Sequence, residues 1–377
     1  MKKYLILAVT AAIAAVGCTK TYEAVPVETN SIPIGFGSWA ETLTKAPTGR
    51  TIGGTEFAAN DYFFVYGYTS GAQTPFDGDK VTASGSPLTW GYSPIRFWDR
   101  NNDYYDFYAI SPSEDSHANA GDLVASHSVV NGSFTTTSLE LAGNNNDILV
   151  ADQKHVLKAN YGKEVLLNFR HAAALFDLKV RKGAGLGDNG VLKITAVSLE
   201  NIDKTGTFSV ASYRAEDDAT APYKANITWT ATAQGSYNQG NGVNSVTTIS
   251  AATPITTAGD QYLINNLVVM PQIFRNSGDA KQRLKISYTI TTGSGTTEQT
   301  NSFTDKTYDL YLFDTTDYPT DDDTSTNGNQ YNDGTQVTGW VDGVHYTYII
   351  TIDAEAIVFN AHIQSWGTDN GYHYLLN

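Results

Sequence analysis

Apolar and polar residues alternate with a period of two along much of the second half of the chain. Tyr346, Tyr348, Ile350 and Ile352 fall on one face, with His345, Thr347, Thr351 and Asp353 on the other. Leu284, Ile286, Tyr288 and Ile290 alternate in the same way with Lys285, Ser287, Thr289 and Thr291, and Phe176, Leu178 and Val180 with Asp177, Lys179 and Arg181. Ile357, Phe359, Ala361 and Ile363 repeat the pattern against Asn360, His362 and Gln364. Helical spacing would scatter these sets, so they predict half-buried antiparallel strands with apolar residues inward. Segments 62–68 and 104–110 are apolar on both sides, which predicts central strands covered on both faces. Turn-rich stretches at 183–190, 291–299 and 315–334 separate the strands. After the first residues no long amphipathic helix is predicted, and Ala172-Ala173-Ala174 is too brief to nucleate one. The expected fold class is all-β, with sandwiches or barrels built from many short strands.

Composition agrees with that picture. Hydrophobic residues make up 41% and aromatics 12% of 377 residues, enough to bury a core. Length gives a prior of two domains, and the polar stretch 158–164 marks the boundary. We therefore expect one unit over 32–160 and a second over 161–377. Asp and Glu number 39 against 24 Lys and Arg, a formal charge of −15, and no dense basic run is present. That balance excludes a nucleic-acid binder, which neutralises phosphates with clustered cations.

The chain begins with Lys2 and Lys3, followed by an apolar run from 4 to 16. The run is shorter than the roughly 20 residues of a bilayer span and reads as an export signal over 1–17. It stops at Ala15-Val16-Gly17-Cys18, and Cys18 is the single cysteine of the sequence. This resembles the lipobox of bacterial lipoproteins, with Ala15 where Leu is commonest. The resemblance implies a lipid on Cys18, a linker over 18–31 and an attachment to the outer membrane. Acyl chains act by burying CH₂ groups at about 0.8 kcal/mol each, so a multiply acylated cysteine holds firmly. With Cys18 so used, no thiol remains for a disulfide or a nucleophile.

The remaining motifs favour plain readings. Gly185, Gly187 and Gly190 satisfy G-x-G-x-x-G, but a strand over 191–199 follows them, so no helix N-terminus is available for a pyrophosphate and a turn is expected. Asp321, Asp322 and Asp323 with Asn327 and Asn329 miss the calcium-loop spacing and read as a solvated acidic loop. The histidines, among them His117, His155, His171 and His345, lack zinc-ligand spacing. No G-x-S-x-G elbow occurs. We expect no catalytic residues, no metal and no cofactor.

Several segments in order resemble the fimbrillin (Mfa-like) family of Bacteroidetes surface lipoproteins. They are Phe64-Val65-Tyr66-Gly67-Tyr68, Arg96-Phe97-Trp98, the stretch from Tyr105 to Pro112, and Asp147-Ile148-Leu149-Val150-Ala151. The match continues through the stretch from Val165 to Ala172, Val269-Met270-Pro271-Gln272, Tyr346-Thr347-Tyr348 and Ile363-Gln364-Ser365-Trp366. The resemblance implies two tandem transthyretin-like β-sandwich domains and a role as a type V pilus subunit in adhesion. It also implies that a trypsin-like protease removes an N-terminal strand, and that other pilin subunits join by placing a strand in the emptied groove. Unpaired backbone groups beside an apolar trench are a template for such strand addition.

Carried onto this sequence, the displaceable strand is 32–39, with Ile32, Ile34 and Phe36 on one face. The following loop reads Thr44-Lys45-Ala46 where relatives carry Thr-Arg-Ala, so cleavage falls after Arg50 or, for a protease that accepts lysine, after Lys45. Past Trp366, eleven residues remain in the sequence (377 − 366), in which Tyr372, Tyr374 and Leu376 alternate with His373 and Leu375. That length extends to about 36 Å, enough for one donor strand. Shaft, tip and anchor positions stay open, as does the host or bacterial surface receptor. The rival readings are a monomeric surface lipoprotein that binds glycans on Trp and Tyr faces, and a hydrolase with two carboxylates roughly 5–9.5 Å apart.

Overall fold

A computed structural model describes residues 31–39, 57, 59–111, 127–130, 133–136, 139–140, 148–211, 226–238, 255, 259–312, 337–353 and 357–365. Cys18, Lys45, Arg50, Tyr372, Tyr374 and Leu376 lie outside the described residues, as does the acidic stretch at 321–329. The described residues are predominantly β-strand, in agreement with the all-β expectation.

The first half contains β1 (Phe36–Trp39), β2 (Tyr62–Thr69), β3 (Phe76–Ser84), β4 (Thr89–Gly91) and β5 (Tyr104–Ser111). Three short strands follow, β6 (His127–Val130), β7 (Ser133–Thr136) and β8 (Leu139–Glu140), and then β9 (Leu149–Leu157), β10 (Val165–Asn168) and β11 (Arg170–His171). A six-stranded sheet runs in the order β11-β9-β5-β2-β3-β4, and β1 and β10 form a separate parallel pair. The core between them joins Phe63, Val65, Phe107 and Ala109 from the large sheet to Phe36, Val165 and Leu167 from the pair and to Ile34 just before β1.

The second half contains β12 (Ala174–Lys182), β13 (Val191–Ala211), β14 (Asn226–Asn238), β15 (Gln261–Val269), β16 (Gln272–Ile273) and β17 (Arg283–Thr292). It continues through β18 (Gln299–Asp309), β19 (Gly339–Trp340), β20 (Val344–Ile352) and β21 (Ile357–Ser365). A four-stranded sheet, β15-β12-β20-β21, faces a seven-stranded one built on β13 and β17. Between the sheets lie Phe176, Leu178, Val180, Tyr346, Tyr348, Ile350 and Ile352 from one, and Leu192, Ile194, Leu284, Ile286 and Tyr288 from the other. The inward residues predicted from alternation in β12, β17 and β20 are thus the residues of this core.

Sheet membership crosses residue 160 in both directions. Val165 and Leu167 belong to the first core, while β7 and β8, from the first half, pair with β13 of the second. The two halves also share a third apolar cluster. Tyr66, Tyr108, Ile110 and Val150 on the far face of the six-stranded sheet pack with Ala172, Leu175, Phe208, Val268 and Met270. Here the Trp229 Nε1–H donates to the Ala172 carbonyl at 2.6 Å. This contact explains why β2 and β5 are apolar on both sides: one face lines the first core and the other meets the second half.

Alternation misplaced one residue of β12. Asp177, expected among the outward polar positions, is buried. Its carboxylate accepts the Asn266 N–H at 2.6 Å and lies 2.8 Å from His345 Nε2. A buried carboxylate is tolerable when its oxygens are partnered in this way.

Candidate functional site

The segment from Ser31 to Trp39 seats itself by simple alternation. Ile34 and Phe36 are only 1% and 3% exposed, Ile32 is half-buried against the same core, and Pro33 is exposed on the opposite side. Gly35 and Gly37 share the outward side with Pro33, since side chains of a strand alternate between faces. The side chain of Glu164 lies over both glycines.

Phe36 is the deepest anchor. Its ring lies 6.1, 5.3, 5.6 and 5.7 Å from those of Phe63, Phe76, Tyr92 and Phe107, each in an edge-to-face arrangement. Such geometry matches the ring quadrupoles, each pair adding about 0.5–1.5 kcal/mol beyond area burial. Strands β2, β3 and β5 supply three of these rings, so the pocket is a property of the six-stranded sheet.

The backbone of the segment divides its hydrogen bonds between two neighbours. Ile34 N–H donates to Arg96 O at 2.9 Å, and Trp98 N–H donates to Ile32 O at 3.0 Å, forming an antiparallel bridge centred on Pro33 and Phe97. From Gly35 onward the partner is β10: Val165 N–H donates to Gly35 O at 2.8 Å, and the parallel register runs from Phe36 opposite Val165 to Trp39 opposite Asn168. Even-numbered residues serve one edge and odd-numbered residues the other, as alternation of backbone groups in a strand requires. Tyr92 fastens the changeover. Its hydroxyl donates to Ile34 O at 2.6 Å and accepts from Arg96 N–H at 3.2 Å, and burial raises its pKa despite the opposing hydrogen bond from Arg96.

Nearby, Trp98 stacks on Tyr161 at 4.5 Å, and the Tyr161 hydroxyl donates to Asn102 O. Burial pushes the Tyr161 pKa up to about 12. These contacts fix the 96–98 edge from behind.

Of the residues singled out in the sequence, the structure brings Ile32, Ile34 and Phe36 together on this seat. Tyr92, Arg96, Trp98, Glu164 and Val165, which form its walls, were not predicted as site residues. The alternation of Ile32, Ile34 and Phe36 marks a strand but carries no information on which distant segments pair with it. Elsewhere, Gly185, Gly187 and Gly190 lie in and after a 3₁₀ turn over Ala184–Leu186 that leads into β13, and Gly185 N–H donates to Asp353. Among the described residues no group of His, Cys, Asp or Glu is arranged to hold a metal ion. No described helix is long and apolar enough to cross a membrane.

Fold and seat together define a β-sandwich protein whose first described strand is held between two short flanking segments. The family model described as fimbrillin-like matches residues 44–366, and the chain belongs to that family. Fimbrillins are subunits of cell-surface fimbriae, and that coarse role is the one the family supports here. Among solved structures, the chain is similar to a fimbrial protein from Bacteroides vulgatus at 19% identity and a TM-score of 0.48, over 89% of this chain and 99% of that one. It is also similar to the tip fimbrial protein Mfa3 from Porphyromonas gingivalis with C-terminal truncation, at 9% identity and a TM-score of 0.37, over 82% and 95% of the two chains. Among curated proteins nothing matches.

Proposed function

We propose that this chain is a non-enzymatic adhesive or structural fimbrial subunit, exported with a lipid on Cys18 and assembled by strand exchange at the seat of β1. In this reading its body is two tandem transthyretin-like sandwiches, with β10 and β11 completing the first and β7 and β8 joining the second. A trypsin-like protease cuts after Arg50 or Lys45, the segment bearing Ile32, Ile34 and Phe36 leaves, and a strand from another pilin subunit takes its place. The segment with Tyr372, Tyr374 and Leu376 is the candidate by which this chain enters a neighbour, and a surface receptor is the remaining partner.

One observation carries the reading: the segment 31–39 buries Ile34 and Phe36 in the first core while, among the described residues, its backbone pairs at the margin, β1 with the four-residue β10 and residues 32–34 with 96–98. Removing such a strand leaves an apolar trench and unpaired backbone groups without breaking the six-stranded sheet, which favours addition of another strand.

The test uses the full chain expressed at a bacterial surface beside a variant with Lys45→Ala and Arg50→Ala. The native chain should enter SDS-resistant assemblies, and the variant should stay monomeric with residues 32–39 retained. Equal assembly by the variant would refute the reading.

A further inference from the structure

The seat of β1 is chemically selective, and the selectivity lies on its inward face. Phe36 enters a box of four rings, three of them phenylalanine. The tyrosine hydroxyls close to that core are already engaged: Tyr92 Oη with Ile34 O and Arg96 N–H, and Tyr105 Oη with Asp99 N–H at 2.8 Å. A hydroxyl brought in on the ring at position 36 would be buried without a partner. Two positions earlier, the space around Ile34 is equally closed, so a larger ring there overpacks it. The outward positions are lenient by comparison. A Cβ at Gly37 would meet Glu164 Oε2 at 2.9 Å and Leu166 Cδ2 at 3.0 Å, both ends of exposed flexible side chains.

A strand that replaces β1 in the same direction must therefore offer aliphatic, aliphatic and phenylalanine at alternate positions. Among the 15 phenylalanines of this sequence, only two are preceded by Ile, Leu or Val at both the second and fourth places. One is Phe36 itself. The other is Phe169, after Val165 and Leu167, which are the seat's own wall. The candidate donor segment fails on both counts: in register it sets Tyr374 at the Ile34 position and Leu376 at the Phe36 position, and shifted by two it sets Tyr374 in the ring box.

We infer that the seat takes its replacement strand from a different polypeptide, one presenting aliphatic-x-aliphatic-x-Phe, rather than from residues 372–376 of a second copy; the matching segment 32–36 of a second copy is the one that the proposed cleavage removes. The inference rests on the reading of β1 as displaceable. It joins this chain to a chemically distinct subunit.

The test uses the full chain with a specific protease site placed within 40–56, cut and left folded. Three fluorescent peptides are offered in excess: residues 31–39, the same peptide with Phe36→Tyr, and residues 371–377. The first should displace the resident strand, and the other two should bind at least about tenfold more weakly. In parallel, Phe36→Tyr in the uncut chain should lower the melting temperature by several degrees. Displacement by the 371–377 peptide as effective as by 31–39, or an unchanged melting temperature, would overturn the selectivity while leaving β1 displaceable. Failure of even the 31–39 peptide to exchange would overturn the displaceable strand and the partner assignment with it, and the uncut Phe36→Tyr chain would still report the chemistry of the box.

Discussion

Replacing Phe36 by alanine should loosen the first strand far more than its position near the start of the described chain suggests. The side chain is 3% exposed and meets four rings edge to face. Deleting a buried phenylalanine costs about 3–5 kcal/mol, because the transfer free energy is lost and a cavity remains. Three amides report on the strand directly: Ile34 to Arg96 O, Trp98 to Ile32 O, and Val165 to Gly35 O. Each depends on residues 32–36 for its hydrogen bond, so their protection should track local opening of that segment. At about 1.4 kcal/mol per decade, native-state hydrogen exchange at these three sites should accelerate at least a hundredfold in Phe36→Ala. Gly343, whose amide bonds to Ala173 O in the second half, serves as the reference and should keep its protection. Unchanged exchange at Ile34, Trp98 and Val165 would refute the argument that the ring box holds the strand.

The junction of the two halves makes a second prediction. Trp229→Phe keeps an aromatic ring but removes the indole N–H bonded to Ala172 O together with part of the ring's volume, and should lower stability by about 1–3 kcal/mol, read as a shift in urea midpoint. A midpoint equal to that of the native chain would show the bond to be dispensable. Alkaline pH gives a third. Burial is the chief cause that pushes Tyr68, Tyr161 and Tyr308 up to about 12, from an ordinary value of 10. The unfolded chain then loses these protons first, so the stability they contribute is complete below pH 10 and is lost as pH rises through about 12. Denaturant unfolding at stepped pH, with tyrosinate absorbance read alongside, should show that decline, and a flat profile across the window would contradict it.

Strand existence and facing were legible wherever one face meets water, because polarity then reports geometry directly. Alternation named the inward residues of β12, β17 and β20 without outside help. It stumbled at Asp177, where a local hydrogen-bonding need outweighs the pattern: the carboxylate turns to the Asn266 amide and His345 instead of to water. The junction was half legible. Apolar residues on both sides of β2 and β5 announced that something covers each face, but a pattern along one strand cannot say that Phe208 and Met270, far along the sequence, are the cover. For the candidate site, Ile32, Ile34 and Phe36 announced a strand, whereas its walls stayed hidden. Residues 96–98 are brought to it by pairing across the fold, and β10 is shared with it across the expected domain boundary, and neither relation leaves a local trace.

The central claim is that β1 is a removable strand occupying a seat meant for another chain. It is tested most directly by the N-terminus and intact mass of this polypeptide isolated from surface assemblies. The account predicts a chain beginning at Ala46 or Thr51, from which residues 32–39 are gone. Assembled subunits that still carry Ile32, Ile34 and Phe36 would contradict it.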